Sequence, residues 1–210
     1  MVTTTVDDVP ARRRLRGAER RQVIEDAAVE VFATRGYDAA TLGEIAAAAG
    51  VTRTVMYDHF TSKRILYLHV LGTQNAAMLR SVAAGITGSG SARDRLRATV
   101  AAYLRFAADH PAARKLLVDP IPVGDEELDA VIRGYWDARV GAVSSMLGPD
   151  LERAGLSLDS PDVAVIVELL ITGVDGVAQW WARNRHVPLE QAVDSASRLL
   201  WNGMPRMGVS

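Results

Sequence analysis

Apolar residues recur at helical spacing along almost the whole chain, and the alternation typical of strands is absent. Ile24, Ala28, Val31 and Phe32 lie at i, i+4, i+7 and i+8, and Gly36 follows as a helix terminator. The remaining pattern predicts helices at 41–49, from 52 onward, and at 63–86, 92–109, 111–118, 125–147, 161–184 and 188–202. Because no segment favours a strand, the sequence predicts an all-α protein.

Two short helices joined at Gly50 are the most informative local feature. Thr41 and Glu44 have the spacing of a capping box, and Thr52 can cap the second helix. Four residues can pack the helices together: Ile45, Ala49, Val51 and Met56. The outer face keeps Thr52, Arg53, Thr54, Tyr57 and His59. Such side chains can bind base edges and phosphates in a major groove. An ordinary helical hairpin fits these local signals equally well.

Positive charge is concentrated in the N-terminal quarter of the chain. Residues 11–64 contain ten Arg or Lys against seven Asp or Glu, although the whole chain has a formal net charge of -1. A local basic excess on an acidic protein is typical of a phosphate-binding surface. A solvated basic tail would give the same charge distribution, so both interpretations remain open on charge alone.

The segment from Arg21 to Leu66 resembles the DNA-binding domain of the TetR family of bacterial regulators. The resemblance rests on a joint pattern: Phe32, Gly36-Tyr37, Thr41, Ile45-Ala46, Ala49-Gly50-Val51, Thr52, Tyr57, His59-Phe60 and Ser62-Lys63. Thr54 and Asp58 depart from residues frequent in the family, which bears on the operator sequence. Beyond this segment the chain resembles the family in helical layout and in His110 to Leu117.

The resemblance implies a ligand-responsive regulator, more often a repressor, that binds a palindromic operator as a homodimer. It implies a flexible basic arm at 1–17, a three-helix helix-turn-helix DNA-binding domain at 18–63, and a helical ligand-binding and dimerisation domain at 64–210. Expected major-groove contacts are Thr52, Arg53, Thr54, Tyr57 and His59. Thr41 and Lys63 would hold phosphates, the first through helix-end amides and the second as a point charge. The arm arginines either enter a minor groove or add salt-sensitive attraction.

The resemblance also implies a four-helix dimer interface built from the last two helices of each chain. In helix 161–184, Gly173 and Gly176 permit close helix approach. In helix 188–202 one stripe contains Leu189, Ala192, Val193, Ala196, Leu199 and Leu200. The same stripe would also serve packing within one chain.

Four polar residues share one face of the otherwise apolar helix 161–184: Glu168, Thr172, Asp175 and Gln179. Burying a carboxylate costs several kcal/mol unless it is paired. Three interpretations follow: the face meets water, arginines such as Arg139 or Arg183 neutralise it, or it supplies the polar contacts of an apolar pocket. In the third case a mostly hydrophobic effector, with a cationic or hydroxyl group facing these polar residues, would lie between this face and Tyr103, Phe106 and Trp136.

Other chemistries find little support in the sequence. There is no cysteine, and the four histidines lack metal-ligand spacing, so we expect no metal site and no cofactor. We identify no catalytic residues, and the alternative is an all-helical enzyme or small-molecule-binding protein without DNA regulation. Neither a signal-peptide core nor an uninterrupted apolar run of membrane-spanning length is found, which predicts a cytoplasmic location.

Overall fold

The computed structural model describes residues 9–87, 89–118, 125–153 and 155–203, with side chains from Gly17 to Asn202. Its elements are α1 (Val9–Ala39), α2 (Leu42–Ala48), α3 (Arg53–His59), α4 (Lys63–Ile86), α5 (Ala92–Asp109), α6 (Pro111–Val118), α7 (Glu126–Arg153), α8 (Pro161–Arg183) and α9 (Leu189–Gly203). No strand occurs in these ranges, which confirms the all-α prediction.

Helix α1 begins at Val9, within the range expected to form a flexible arm. The side chains of Arg12, Arg13, Arg14 and Arg16 lie outside the described residues. Near the other end of α1, Gly36 adopts φ 76° and ψ 172°. This left-handed backbone favours glycine and turns the chain toward α2. The regular part of α1 therefore ends at Gly36, the residue that the sequence predicted as its terminator.

The first hydrophobic core lies under α1 to α4. Ile24, Ala28 and Phe32 of α1 pack there against Ile45, Met56, Leu66 and Tyr67. The same core includes Leu116 of α6 and Leu128 at the start of α7. The predicted domain boundary at residues 63 and 64 therefore marks the start of α4, and the core itself continues into the C-terminal half.

The second core is formed by α5, α7, α8 and α9, and α4 connects it to the first through close packing on α5. A Cβ at Gly85 would lie 2.7 Å from the backbone of Thr99, so only glycine permits this approach of α4 to α5. In the second core, Leu104, Val167 and Val193 are fully buried. The long α4 therefore runs from the DNA-binding end into the C-terminal helices.

Helix α7 continues to Arg153, beyond residue 147 where the sequence predicted its end, and it contains Pro149. Proline within a helix removes one hydrogen bond and costs about 3 kcal/mol or more. Two contacts favour continuation: Leu151 is buried in the second core, and Asp150 binds Arg95 of α5. These long-range contacts were not visible in the local pattern.

Helix α8 is long and apolar enough to cross a membrane by length and composition. Part of this apolar surface is used inside the protein, since Val163, Ile166, Val167 and Leu170 are buried in the second core. The core helix of a soluble protein passes the same test of length and composition, and packing in the second core accounts for the part of α8 that is buried.

Tyr67 predicts an alkaline loss of stability. Burial, followed by the charge of Asp129, raises the pKa of Tyr67 to about 12, against about 10 in the unfolded chain. Because the unfolded chain loses this proton first, stability should be intact below pH of about 10 and fall between about 10 and 12 by on the order of 2 kcal/mol. Urea unfolding of wild type and Tyr67→Phe across this range measures the difference. An identical pH dependence for the two proteins would contradict the prediction.

Candidate DNA-binding face and ligand cavity

Local hydrogen bonds set the corner between α2 and α3. The Thr41 hydroxyl accepts from the Glu44 amide at 3.2 Å, and the Glu44 carboxylate accepts from the Thr41 amide at 3.0 Å. Gly50 has φ 65°, and the Val51 amide donates to Ala46 at 2.9 Å. The predicted inner residues Ile45, Ala49 and Met56 are buried and Val51 is half-buried, so the helix-turn-helix geometry is the one the sequence indicates.

Helix α3 presents a polar outer face. Thr52 caps it by accepting from the Val55 amide at 3.3 Å. Thr52, Arg53, Thr54 and Tyr57 are exposed, and His59 is half-buried at the helix end. The Arg53 guanidinium lies over Gly43 of α2, where a Cβ would stand 3.1 Å from Nη2. Among the described residues, nothing bonds the side chains of Arg53, Thr54 or Tyr57, so this face offers free donors.

Lys63 has a different environment from the one the resemblance implied. Its ammonium donates to the carbonyls of Tyr37 at 2.8 Å, Asp38 at 3.2 Å and Ala40 at 3.1 Å. It also lies 4.4 Å from the centre of the Tyr37 ring. An ammonium has three donors, and all three are used to close the end of α1. In this geometry Lys63 holds the end of α1 on α4, and its phosphate contact stays a prediction.

Replacing Lys63 by methionine should therefore lower stability by about 1–3 kcal/mol, because three charge-assisted hydrogen bonds are lost. The salt dependence of DNA affinity should stay as in wild type. Urea unfolding and binding titrations at several salt concentrations measure both effects, and Lys115→Met, which changes the chain's exposed second lysine, is the control. Unchanged stability, together with a weaker dependence of DNA affinity on salt concentration, would contradict this prediction and support the phosphate contact.

A polar cluster that was not predicted from the sequence contacts the residue that ends α3. Glu25 of α1 accepts from Arg21 at 2.9 Å and contacts the His69 ring of α4 at 2.7 Å. The Arg21 guanidinium also lies 4.5 Å from the centre of the Phe60 ring, just after α3. Arg21 and Glu25 are neighbours on α1, but Phe60 and His69 are distant in sequence, so only the fold brings them to this pair. They fix α1 and α4 around the residue that ends α3.

Two adjoining cavities lie between the C-terminal helices. The inner cavity, of about 70 Å³, is bordered mainly by aliphatic side chains such as Met78, Val100 and Val174, and by Tyr103 and Arg139. The outer cavity, of about 630 Å³, includes Arg95, Asp150, Arg153 and Trp201. Both are lined by Leu96, Thr99, Leu147 and Leu170. The two cavities are therefore adjacent, and these four residues lie between them.

The polar residues predicted to share one face of α8 differ in burial. Glu168 and Thr172 are exposed, whereas Asp175 is buried. Arg114 of α6 donates to both Asp175 oxygens at 3.0 Å, Tyr103 to one at 2.6 Å, and Gln179 to the other at 3.0 Å. An arginine does neutralise this carboxylate, but it is Arg114 and neither Arg139 nor Arg183.

Of the predicted pocket residues, only Tyr103 lines the inner cavity. Phe106 is buried in the first core, and Trp136 lies against Arg139, 5.2 Å from its guanidinium. Asp175 and Gln179 do not line this cavity. Asp175 accepts hydrogen bonds from the Tyr103 hydroxyl, from Arg114 and from Gln179. Glu168 and Thr172 border neither cavity. The inner cavity is lined mainly by aliphatic residues of α4, α5, α7 and α8, and the predicted set of ligand-contacting residues stays a prediction.

The predicted dimer stripe on α9 is largely used within the chain. Ala192, Val193 and Ala196 are buried in the second core, and Leu189 and Leu200 pack against it. Leu199 alone among these residues is strongly exposed, at 76%. Gly173 and Gly176 of α8 are exposed, and they lie between the exposed Leu169 and Trp180. The unpartnered apolar face, hereafter the α8 face, consists of Val165, Leu169, Gly173, Gly176 and Trp180.

Sequence comparison identifies the family to which this geometry belongs. The model for "Bacterial regulatory proteins, tetR family" matches residues 24–70, and the model for "Tetracyclin repressor-like, C-terminal domain" matches residues 92–203. The chain belongs to the tetR family. As a tetR-family protein it is a ligand-responsive, DNA-binding transcriptional regulator, and the relatives named below are transcriptional regulators.

Relatives match along most of this tetR-family chain. The transcriptional activator FasR of Mycolicibacterium smegmatis is 31% identical over 191 residues, which are 91% of this chain and 85% of FasR. A probable acrEF/envCD operon repressor of Escherichia coli is 26% identical over 180 residues, 82% of this chain and 80% of that protein. Activators and repressors thus both occur among similar proteins.

Solved structures share the fold. FadR from Bacillus halodurans, a fatty acid degradation regulator, has a TM-score of 0.72 at 19% identity, covering 86% of this chain and 94% of its own. FadR from Bacillus subtilis, solved with stearoyl-CoA, has a TM-score of 0.69 at 19% identity, covering 85% and 96%. At this identity the likeness concerns the fold alone.

Proposed function

We propose that the protein binds a near-palindromic operator as a homodimer and that a long-chain, mostly apolar effector changes its operator affinity. The observation that carries the DNA part is the exposed face of α3, where Arg53, Thr54 and Tyr57 have no partner among the described residues. Two such helices about 34–36 Å apart would enter successive major grooves. Repression, expected from the sequence, stays a prediction.

The α8 face supports the homodimer. Val165, Leu169 and Trp180 are 53%, 59% and 43% exposed in the single chain, and glycines between them leave room for a second helix. A contiguous apolar face of this kind is rarely left in water. A second copy fits it, since a two-fold axis places the same face on both partners.

The two adjacent cavities support the proposed effector. The inner cavity is almost entirely aliphatic, and a larger cavity lies next to it. Apolar surface suits a hydrocarbon chain, which gains roughly 0.8 kcal/mol for each CH₂ removed from water. The fold neighbour solved with stearoyl-CoA is consistent with this class of effector, and we propose it for this chain on the cavity's chemistry.

Arg53→Ala tests the DNA-binding proposal. If the guanidinium reads a guanine, specific operator affinity should fall by about 1–3 kcal/mol. Affinity for scrambled duplex should fall less. Arg80→Ala makes the same charge change on an exposed site of α4 and is the control. Gel-shift titrations with operator and scrambled DNA give both affinities, and an equal loss for Arg53→Ala and Arg80→Ala would contradict the assignment.

A further inference from the structure

Gly43, the second residue of α2, is a glycine that the backbone does not require. It is not among the described glycines with positive φ, which are Gly36, Gly50, Gly90 and Gly155. An alanine would suit this seven-residue helix better, because glycine loses more backbone freedom on folding. The glycine therefore weakens α2, and its surroundings show what the missing side chain leaves free.

The space beside Gly43 is occupied by the guanidinium of Arg53, the first residue of α3. A Cβ at position 43 would lie 3.1 Å from Nη2, 3.5 Å from Nε and 3.6 Å from Cζ of Arg53. These are the three nearest atoms, so a side chain at position 43 would meet Arg53 first. Because 3.1 Å is shorter than an ordinary van der Waals separation, the guanidinium would have to move.

Within the described part of the chain, no polar contact holds the Arg53 guanidinium in this place. The carboxylate of the neighbouring Glu44 accepts from the Thr41 amide at 3.0 Å and pairs with Arg35 at 3.2 Å, and it does not pair with Arg53. The side chain of Arg53 is exposed, so its position depends on packing against α2 at Gly43. All five of its N–H donors stay available to DNA.

We propose that Gly43 is a positioning residue for Arg53 and thereby sets which base pair of the operator Arg53 contacts. The inference rests on the proposed reading of DNA by Arg53. In a helix-turn-helix the first residues of the second helix contact base edges, and Arg53 begins α3. A side chain already held in one place loses less freedom on binding than one that samples many rotamers. A larger residue at position 43 occupies that place, so the guanidinium meets the DNA elsewhere.

Gly43→Leu and Gly43→Ala test the inference, each in wild type and in the Arg53→Ala background. Gel-shift titrations give the ratio of operator affinity to scrambled-duplex affinity. Gly43→Leu should lower this ratio about tenfold, as expected for one lost base contact. Gly43→Ala should lower it less, because a methyl group displaces the guanidinium only slightly. In the Arg53→Ala background neither substitution should lower the ratio further, because the displaced group is gone.

Selection of binding sites from a random duplex library gives a second measurement. Gly43→Leu should change the selected bases only at the base pairs that Arg53→Ala also changes. Gly134→Leu and Gly134→Ala are the matched controls, since Gly134 is an exposed glycine of α7 with nothing within 4 Å of a Cβ. Both should keep the wild-type ratio. Urea unfolding should show Gly43→Ala to be at least as stable as wild type, although it discriminates less between the duplexes.

Two results would overturn the role of Gly43. The first is a wild-type affinity ratio in both Gly43 variants. The second is an equal loss in the Arg53→Ala background, which would mean that the new side chain itself collides with DNA. A wild-type ratio in Arg53→Ala alone would instead overturn the proposed reading of DNA by Arg53, and the inference about Gly43 would fall with it.

Discussion

Leu169→Asp is expected to convert the protein into monomers and to weaken operator binding by about 100-fold or more. Leu169 is 59% exposed in the single chain and lies within the α8 face, so a two-fold partner would bring two introduced carboxylates into one apolar interface. Burying unpaired charges costs several kcal/mol each. Operator affinity falls with dimerisation because a single α3 binds only one half-site.

Sedimentation and operator titrations measure these two effects. Val131→Asp is the matched control, since Val131 is an exposed apolar residue of α7 outside the α8 face. It should remain dimeric and bind DNA as wild type does. A Leu169→Asp protein that stays dimeric would place the interface elsewhere. Circular dichroism of both variants separates dissociation from unfolding.

Tyr103→Phe is expected to abolish most of the effector's influence on operator affinity while preserving effector binding. Tyr103 lines the inner cavity, and its hydroxyl donates to Asp175, which holds Arg114 of α6. Helix α6 in turn packs on α1 of the DNA-binding end. This chain of contacts connects the cavity wall to the helix-turn-helix. Coupling between two sites typically changes an affinity by about 5–150-fold. Losing the hydrogen bond from Tyr103 should bring the ratio of operator affinities without and with effector close to one.

The variant keeps the ring and removes only the hydroxyl, so the cavity wall stays filled. Thr99→Val is the control, because Thr99 lines both cavities but bonds within its own helix, to the Arg95 carbonyl at 2.8 Å. Operator affinity is measured with and without hexadecanoate or its coenzyme A thioester, and effector affinity separately. Equal coupling in Tyr103→Phe and wild type would exclude this route.

The helix-turn-helix could be predicted because its signals are local. The capping box needs only Thr41 and Glu44, and the corner needs only Gly50, all within ten residues of one another. The structure reproduces each of them. Most other helix boundaries followed the same rule. Two differed: α1 begins at Val9, inside the range predicted as an arm, and α7 continues past residue 147, where distant contacts of Asp150 and Leu151 outweigh Pro149.

The roles of single polar residues could not be predicted because they depend on distant partners. Lys63 meets carbonyls 23 to 26 positions earlier, and Asp175 meets Arg114 at 61 positions. The apolar stripe on α9 shows a different limit. Ala192 and Val193 are buried within the chain, and periodicity alone does not distinguish this packing from contact with a second copy.

The protein is expected to bind DNA sequence-specifically as a dimer through α3. Footprinting on the DNA upstream of the protein's own gene, with a gel-shift titration at physiological salt, tests it most directly. We predict one protected, near-palindromic segment bound by two chains, with affinity well above that for a scrambled duplex and reduced in Arg53→Ala. Equal affinity for the two duplexes, or binding of a single chain, would contradict the account.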